Sequence, residues 1–456
     1  MFALPPLLCL LVIDYFKPQE FIPLLAGLPL LYGLSALTLA GFIIDLRLGV
    51  SELRMAPQVP LVLLFLAWAF LTVLVKRPSE LTGQVVATLI PVSLFFLVGQ
   101  VVQSFRALQI VVGLLLGIAT FLAVISVHQG LAPFSCVRVV YPGGIPTPVD
   151  EGRECVPAER NECEDELAEP GADYLCEHLG LLGTYSDHGR VRFRGTLQDP
   201  NELSLAVCVA LPFAFAFLDR RRTALRAALL VGVTILFAVC TVMSGSRGGQ
   251  LVFLAVLGVY FLRRFGWRGL ALAVVLALPL LALGGRSDAD AESSTMERLE
   301  CWREGIRMFF ANPIFGVGKG QFTEHHFLTA HNSFVLAVAE LGAPGLFLFS
   351  LILYLTGKIA FEIVRTEGMA QVARTWALAM LAMVAGLVTG ITFLSYVYKE
   401  ILWILLGLGE ALYHAVRRHR PDFAVRLSAR ELRWVLAADA VLITYLWVYT
   451  RLKVGS

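Results

Sequence analysis

The sequence predicts an all-α, polytopic integral membrane protein of about 12–13 transmembrane helices with two larger loops facing outward, and three observations predict it. Hydrophobic residues make up 57% of the 456 and charged residues only 16%, with a mean hydropathy of +0.73, so the charges are too few to cover a soluble globule. Apolar runs near the ~20 residues that a span requires recur along the chain. Lys and Arg collect in connections between those runs, the distribution expected of cytoplasmic loops, whereas the total charge of +2 says nothing about orientation.

The first run, 3–16, has no basic leader, carries Pro5, Pro6 and Asp14, and leads straight into another span, so it reads as a retained helix rather than a signal peptide. Further spans are expected at about 21–45, 58–75, 84–103, 107–127, 202–218, 224–243, 249–262, 268–284, 332–357, 375–395, 400–416 and 434–450. Arg47, Arg54 and Arg106 mark cytoplasmic connections in the N-terminal half, and Lys17, Lys76 and Arg77 are a local exception on the outer side. The strongest basic cluster, DRRRTALR at 219–226, anchors the rest. By alternation 244–249 and 286–330 then face outward, and 263–269 and 358–374 inward.

The domain partition that follows is N-terminal transmembrane helices at 1–127, a periplasmic loop at 128–200, and transmembrane helices at 201–285. A second periplasmic loop at 286–330 reads as half of an active site, before transmembrane helices at 331–416. A basic cytoplasmic segment with the last helix closes the chain at 417–456, its arginines suited to anionic membrane lipids, and nothing in it suggests nucleic-acid recognition.

The 128–200 loop carries Cys136, Cys155, Cys163 and Cys176. In an oxidising compartment four cysteines in one loop of low apolar content read as two disulfides of unspecified connectivity; a zinc site competes, but no CxxC spacing supports it. Cys9, Cys208, Cys240 and Cys301 read as inert small hydrophobes.

Three polar clusters fall at helix ends on the expected outer face: RFRGTLQDPN (192–201), SGSRGG (244–249), and the stretch from 286 into HNSFVLAVAELGAPG (331–345). Arginine offers a planar donor fork matched to phosphate oxygens, which nominates the arginines of these clusters, Arg194 and Arg247 among them, and a single diphosphate ligand would account for several of them. The bland alternative for any one is a side chain snorkelling to the interface. For Arg247 the surrounding Gly and Ser residues argue against it, because their backbone amides can also approach an anion.

An imidazole titrates near neutrality, so His331 is able to take a proton from a hydroxyl. Equally, it can cap the helix alongside Asn332 and Ser333. Glu340 reads as a buried, hydrogen-bonded structural group. Asp288 and Asp290 read as a solvated turn, and the adjacent His325 and His326 with Glu324 lack a third convergent ligand, so no metal is assigned.

These residues carry a family likeness. The chain resembles the O-antigen ligase superfamily, which includes O-antigen ligases, polysaccharide polymerases of the Wzy type and bacterial O-oligosaccharyltransferases. The family's His-Asn, nine residues, Gly, two residues, Gly is met by His331, Asn332, Gly342 and Gly345, and its Arg, three residues, Leu by Arg247 and Leu251. RFRGTLQDPNELS and ERLECWREGIRMFFANPIFGVGKGQF are similar to family segments and place Arg194, Asn201, Arg298, Trp302, Pro313 and Gly316 in familiar settings, over residues 190 to 395 in all.

The resemblance implies metal- and cofactor-independent glycosyl transfer at the periplasmic face of a bacterial inner membrane, from a polyprenyl-diphosphate-linked glycan donor to an acceptor hydroxyl. It implies His331 as general base and Arg247, Arg298 and Arg194 as donor-binding residues, with Asn201 and Asn332 beside them and Gly342 and Gly345 structural. The acceptor is a glycan, lipid A core or a protein. A carrier for the lipid-linked glycan is the competing class, disfavoured because ionisable residues concentrate at one face rather than the midplane, Glu410 excepted.

Overall fold

The computed structural model describes the chain except residues 21, 26, 141–146, 157–162, 164–172, 221, 270, 272–274, 276–287 and 455–456. In order, its helices are α1 (Leu4–Phe16), α2 (Leu30–Arg47), α3 (Val59–Lys76), α4 (Leu81–Val101) and α5 (Phe105–Leu131). Then come α6 (Pro200–Cys208), α7 (Leu211–Arg220), α8 (Ala224–Met243), α9 (Arg247–Phe265) and α10 (Asp288–Ala311). The last four are α11 (Ser333–Arg365), α12 (Gln371–Ile391), α13 (Glu400–Arg417) and α14 (Ala429–Val454).

Among the described residues nine helical stretches are long and apolar enough to cross a membrane, with α6 and α7 acting together as one. The expected spans at 3–16, 249–262 and 400–416 are also helical, as α1, α9 and α13; most of the span expected at 268–284 lies outside the described residues. The run at 202–218 is two helices, because Pro212 has no N–H to give the carbonyl four residues back and the chain turns at 209–210.

Two stretches read as loops are structured. Residues 288–311 form a helix of 24 residues, where a polar catalytic loop was expected. Its charge hides the helix from a search for apolar runs, although ERLECWREGIRMFF is made largely of good helix formers. The cysteine-bearing segment holds a three-stranded antiparallel sheet, β1 (Phe134–Val140), β2 (Thr147–Glu154) and β3 (Asp173–His178), in the order β2-β1-β3. Two disulfides, Cys136–Cys163 and Cys155–Cys176, staple it. With Tyr174 these cysteines supply the small sheet's buried centre, as expected where so little apolar surface is available.

The chain divides into two compact units, which cut across the linear partition above. The first comprises Met1–Leu7, Ser35–Val111 and Arg286–Ser456. In it α11 packs on α3, α10 and α12, and α13 lies along α4. That last approach is close: a Cβ on Gly99 would stand 2.3 Å from the carboxyl carbon of Glu410, the small-residue packing that lets helices meet without a hydrophobic driving force. The second unit comprises Leu8–Leu34 and Val112–Gly285, and holds the sheet and α6 to α9.

Candidate functional site

In the first unit the expected His331 element is organised by a break in α11. Gly342 has φ 69° and ψ −171°, outside helical geometry. The interruption frees backbone groups that a membrane interior could not satisfy. The turn after α10 satisfies them: Val317 N–H donates to the carbonyl of Ala339 at 2.8 Å, Gly318 N–H to that of Glu340 at 3.0 Å, and Ala343 N–H to that of Pro313 at 2.9 Å. The carbonyl of Leu341 accepts from the Trp68 indole at 2.8 Å.

The approach is so close that a Cβ on Gly342 would lie 2.1 Å from the Ile314 oxygen, and one on Gly316 2.4 Å from the Glu340 carbonyl carbon. The glycine spacing therefore has a mechanical reason. It lets NPIFGVGKG dock onto a broken helix.

Glu340, 3% exposed, completes the joint by accepting from the N–H groups of Gly320 at 2.9 Å and Phe322 at 3.0 Å, the structural role expected of it. Lys319 is buried beside it, donating to Gln84 Oε1 at 2.6 Å and lying 4.6 Å from the Tyr398 ring centroid. Burial pulls its pKa below that of an ordinary lysine, with Glu340 opposing. Sequence reading passed over this lysine, whose environment is assembled from residues far apart in the chain.

At the start of α11 the cap is Asn332, not His331: Asn332 Oδ1 accepts from Phe334 N–H at 2.9 Å and Val335 N–H at 3.2 Å. Ser333 donates to the Leu394 carbonyl at 2.7 Å. His331 is half-buried and sits one residue ahead of the cap in the left-handed region, φ 48°, with its N–H on Ser395 Oγ at 2.9 Å. Such a backbone is uncommon outside glycine, and it persists only where surrounding contacts enforce it.

Arg298 and Trp302 lie one turn apart on α10, both half-buried. Further along the same helix, Gly305 lies against Val335 of α11, so close that a Cβ there would be 2.4 Å from Val335 Cγ1.

In the second unit, SGSRGG is the start of α9. Ser246 caps the helix by accepting from Gly249 N–H at 2.9 Å, and its hydroxyl donates to Asn201 Oδ1 at 2.7 Å. Asn201 donates through Nδ2 to Asp199 at 2.7 Å, the residue that caps α6. Gly249 allows α6 and α9 to touch, since a Cβ there would be 2.4 Å from Ser204 Cβ.

Arg247, the first residue of α9, is exposed, and among the described residues its guanidinium has no hydrogen-bond partner. Arg194 is differently placed. It donates to the carbonyls of Glu20, at 3.3 Å, and Gly183, and burial holds its pKa below the usual arginine value.

The sequence reading missed Arg190. It is 8% exposed and donates through Nε to the Ser244 carbonyl at 2.9 Å, with Nη2 3.5 Å from Asn201 Oδ1. The turn before it is held by Glu177 of β3, whose carboxylate accepts from Ser186 Oγ at 2.5 Å and from the N–H groups of His188 and Gly189 at 2.7 and 2.9 Å. Arg192 stacks 4.4 Å over the Tyr185 ring. Three neighbouring arginines thus have three different environments, which composition cannot tell apart.

The many long apolar helices define a multi-pass membrane protein. A family model described as O-antigen ligase matches residues 232–350, and this match supports the chain's resemblance to the O-antigen ligase superfamily. The matched stretch contains Arg247, Arg298, His331, Asn332, Gly342 and Gly345, but neither Arg194 nor Asn201. No curated protein matches the chain. The family supports a glycosyl-transfer function on lipid-linked glycans in the membrane.

Proposed function

We propose that the protein transfers a polyprenyl-diphosphate-linked glycan to an acceptor hydroxyl at the periplasmic face of a bacterial inner membrane. His331 accepts the hydroxyl proton as the acceptor oxygen bonds to the anomeric carbon, and the bond from that carbon to the diphosphate breaks. Direct displacement inverts the anomeric centre. Guanidinium groups of Arg247 and Arg298 hold the polyprenyl diphosphate and stabilise the charge it gains on leaving, the work a metal ion does in other transferases. Arg194, Asn201 and Asn332 are weaker assignments, because each is already hydrogen-bonded within its own unit.

The observation that carries this reading is the backbone of His331: a non-glycine residue held at φ 48° directly before a helix that another residue caps. A reacting group must be fixed in one geometry, and this backbone is held by Ser395 Oγ and by the capped start of α11.

The test is a purified-protein assay with lipid-linked glycan and three acceptors: lipid A core, a second lipid-linked repeat, and a Ser/Thr peptide. Transfer to any one establishes the activity, and which one distinguishes ligase, polymerase and oligosaccharyltransferase. Movement of the lipid-linked glycan across vesicles with no transfer to any acceptor would replace the enzyme by a carrier.

A further inference from the structure

A second set of arginines lies on another face of α10, away from Arg298, Trp302 and Gly305. Arg303, Arg307 and Phe310 of α10 and Trp447, Thr450 and Arg451 of α14 line a cavity of about 480 Å³. Among the described residues its lining contains no acid. Arg307 pairs with Glu304 at 2.7 Å outside that lining, and Arg451 stacks 4.3 Å over the Trp447 ring, while Arg303 has no ion pair among the described residues.

This cavity shares Phe310 and Trp447 with a second of about 500 Å³, whose lining includes Phe309, Leu346, Leu436 and Ile443. The second cavity is apolar but for Thr444 and Asp439, and Asp439 is 7% exposed. One Asp439 oxygen accepts from Ser350 at 2.7 Å, and the other has no partner among the described residues.

A cationic mouth opening into an apolar slot matches an amphiphile with an anionic head. Leu436 and Arg451 are about 22 Å apart along α14 at 1.5 Å per residue, more than the ~15 Å depth of one hydrocarbon leaflet. Trp447 stands at the junction, the level at which aromatic side chains meet headgroups.

We propose that this groove binds one anionic phospholipid of the surrounding bilayer. Its phosphate lies among Arg303, Arg307 and Arg451, and an acyl chain lies past Phe310 and Trp447. Arginine forks suit phosphate oxygens, and the ammonium or choline of a zwitterionic lipid would add a cation to a mouth that is already cationic. Snorkelling accounts for an arginine at a helix end, but not for the carboxylate oxygen in the slot that has no partner among the described residues.

The test is thermal unfolding of delipidated protein in neutral detergent, titrated with phosphatidylglycerol or phosphatidylcholine, since a ligand of the folded state raises the midpoint saturably. Phosphatidylglycerol should raise it and phosphatidylcholine should not. In Arg303→Ala/Arg451→Ala half-saturation should need roughly tenfold more lipid, and Ala440→Trp, which fills the slot and keeps the arginines, should abolish the response. An equal effect of phosphatidylcholine, or an unchanged response in both variants, would overturn the proposal. Native mass spectrometry of the wild type keeps it testable if the variants fail to fold: no retained phosphatidylglycerol overturns it. So would displacement of the phospholipid by polyprenyl phosphate at equal concentration, which would give the groove to a lipid-linked substrate.

Discussion

The start of α11 and the start of α9 look alike in sequence, each a polar opening followed by glycines, yet they use their polar groups differently. At α11 most of the polar chemistry is architectural: Asn332 caps, Glu340 ties down the turn at Gly320 and Phe322, and the carbonyls freed at Gly342 are met by the docked segment. What remains conspicuous is a backbone, that of His331. At α9 the capping network of Ser246, Asn201 and Asp199 is internal, and what stands outside it is a side chain, that of Arg247. In each, capping groups build the helix start, and His331 and Arg247 stand outside the cap.

The largest effect is expected at the joint. Gly342→Ala places a Cβ against the Ile314 carbonyl and forces a left-handed backbone on alanine. The loss should exceed about 4 kcal/mol, read as failure to recover monodisperse protein in detergent. Normal recovery would mean that α11 can heal its break and that the docked segment is not obligatory. Next comes His331→Gly, which keeps the backbone and removes the imidazole. Thermal stability should hold or rise, because glycine accepts φ 48° without strain, while transfer falls ~10²–10⁴-fold. Retained transfer would make His331 architectural like its neighbours.

How much of this was legible follows from the same distinction. The spans could be read because lipid imposes apolar runs, and the spacing from His331 to Gly345 could be read because backbone contact tolerates only glycine at Gly342. The helix at 288–311 escaped notice because its signal is propensity and not hydrophobicity. The sheet at 134–178 escaped because its centre is made of cystines and not of an apolar stripe. Arg190 could not be distinguished from Arg192 and Arg194, since what sets it apart is a carbonyl at Ser244 and an amide at Asn201. Long-range contacts of that kind leave no local pattern.

Arg247→Lys sharpens the comparison from the α9 side. A snorkelling or topological charge tolerates lysine, which also reaches the interface. A diphosphate contact does not, because lysine keeps the charge and loses the two-pronged geometry. Transfer should fall by about 3–4 kcal/mol in transition-state terms, with insertion and expression unchanged. Near-wild-type transfer would withdraw Arg247 and leave Arg298 as the principal candidate.

The smallest expected effect decides whether Asn332 builds the site or acts in it. As the cap of α11 it is used through Oδ1 alone, and aspartate presents the same acceptor with a charge that the helix N-terminus favours. Asn332→Ala should therefore cost about 1 kcal/mol of stability, and Asn332→Asp should restore it. The two substitutions differ in what they offer a substrate. Asn332→Asp removes the Nδ2–H donors and sets a negative charge beside any diphosphate, so a contact to the donor would turn into repulsion. Transfer by Asn332→Asp within a few-fold of wild type is the expected result, and it assigns Asn332 to the architecture. A fall of roughly tenfold or more at unchanged thermal stability, the loss typical of a hydrogen bond to a charged group, would move it into the binding site beside His331.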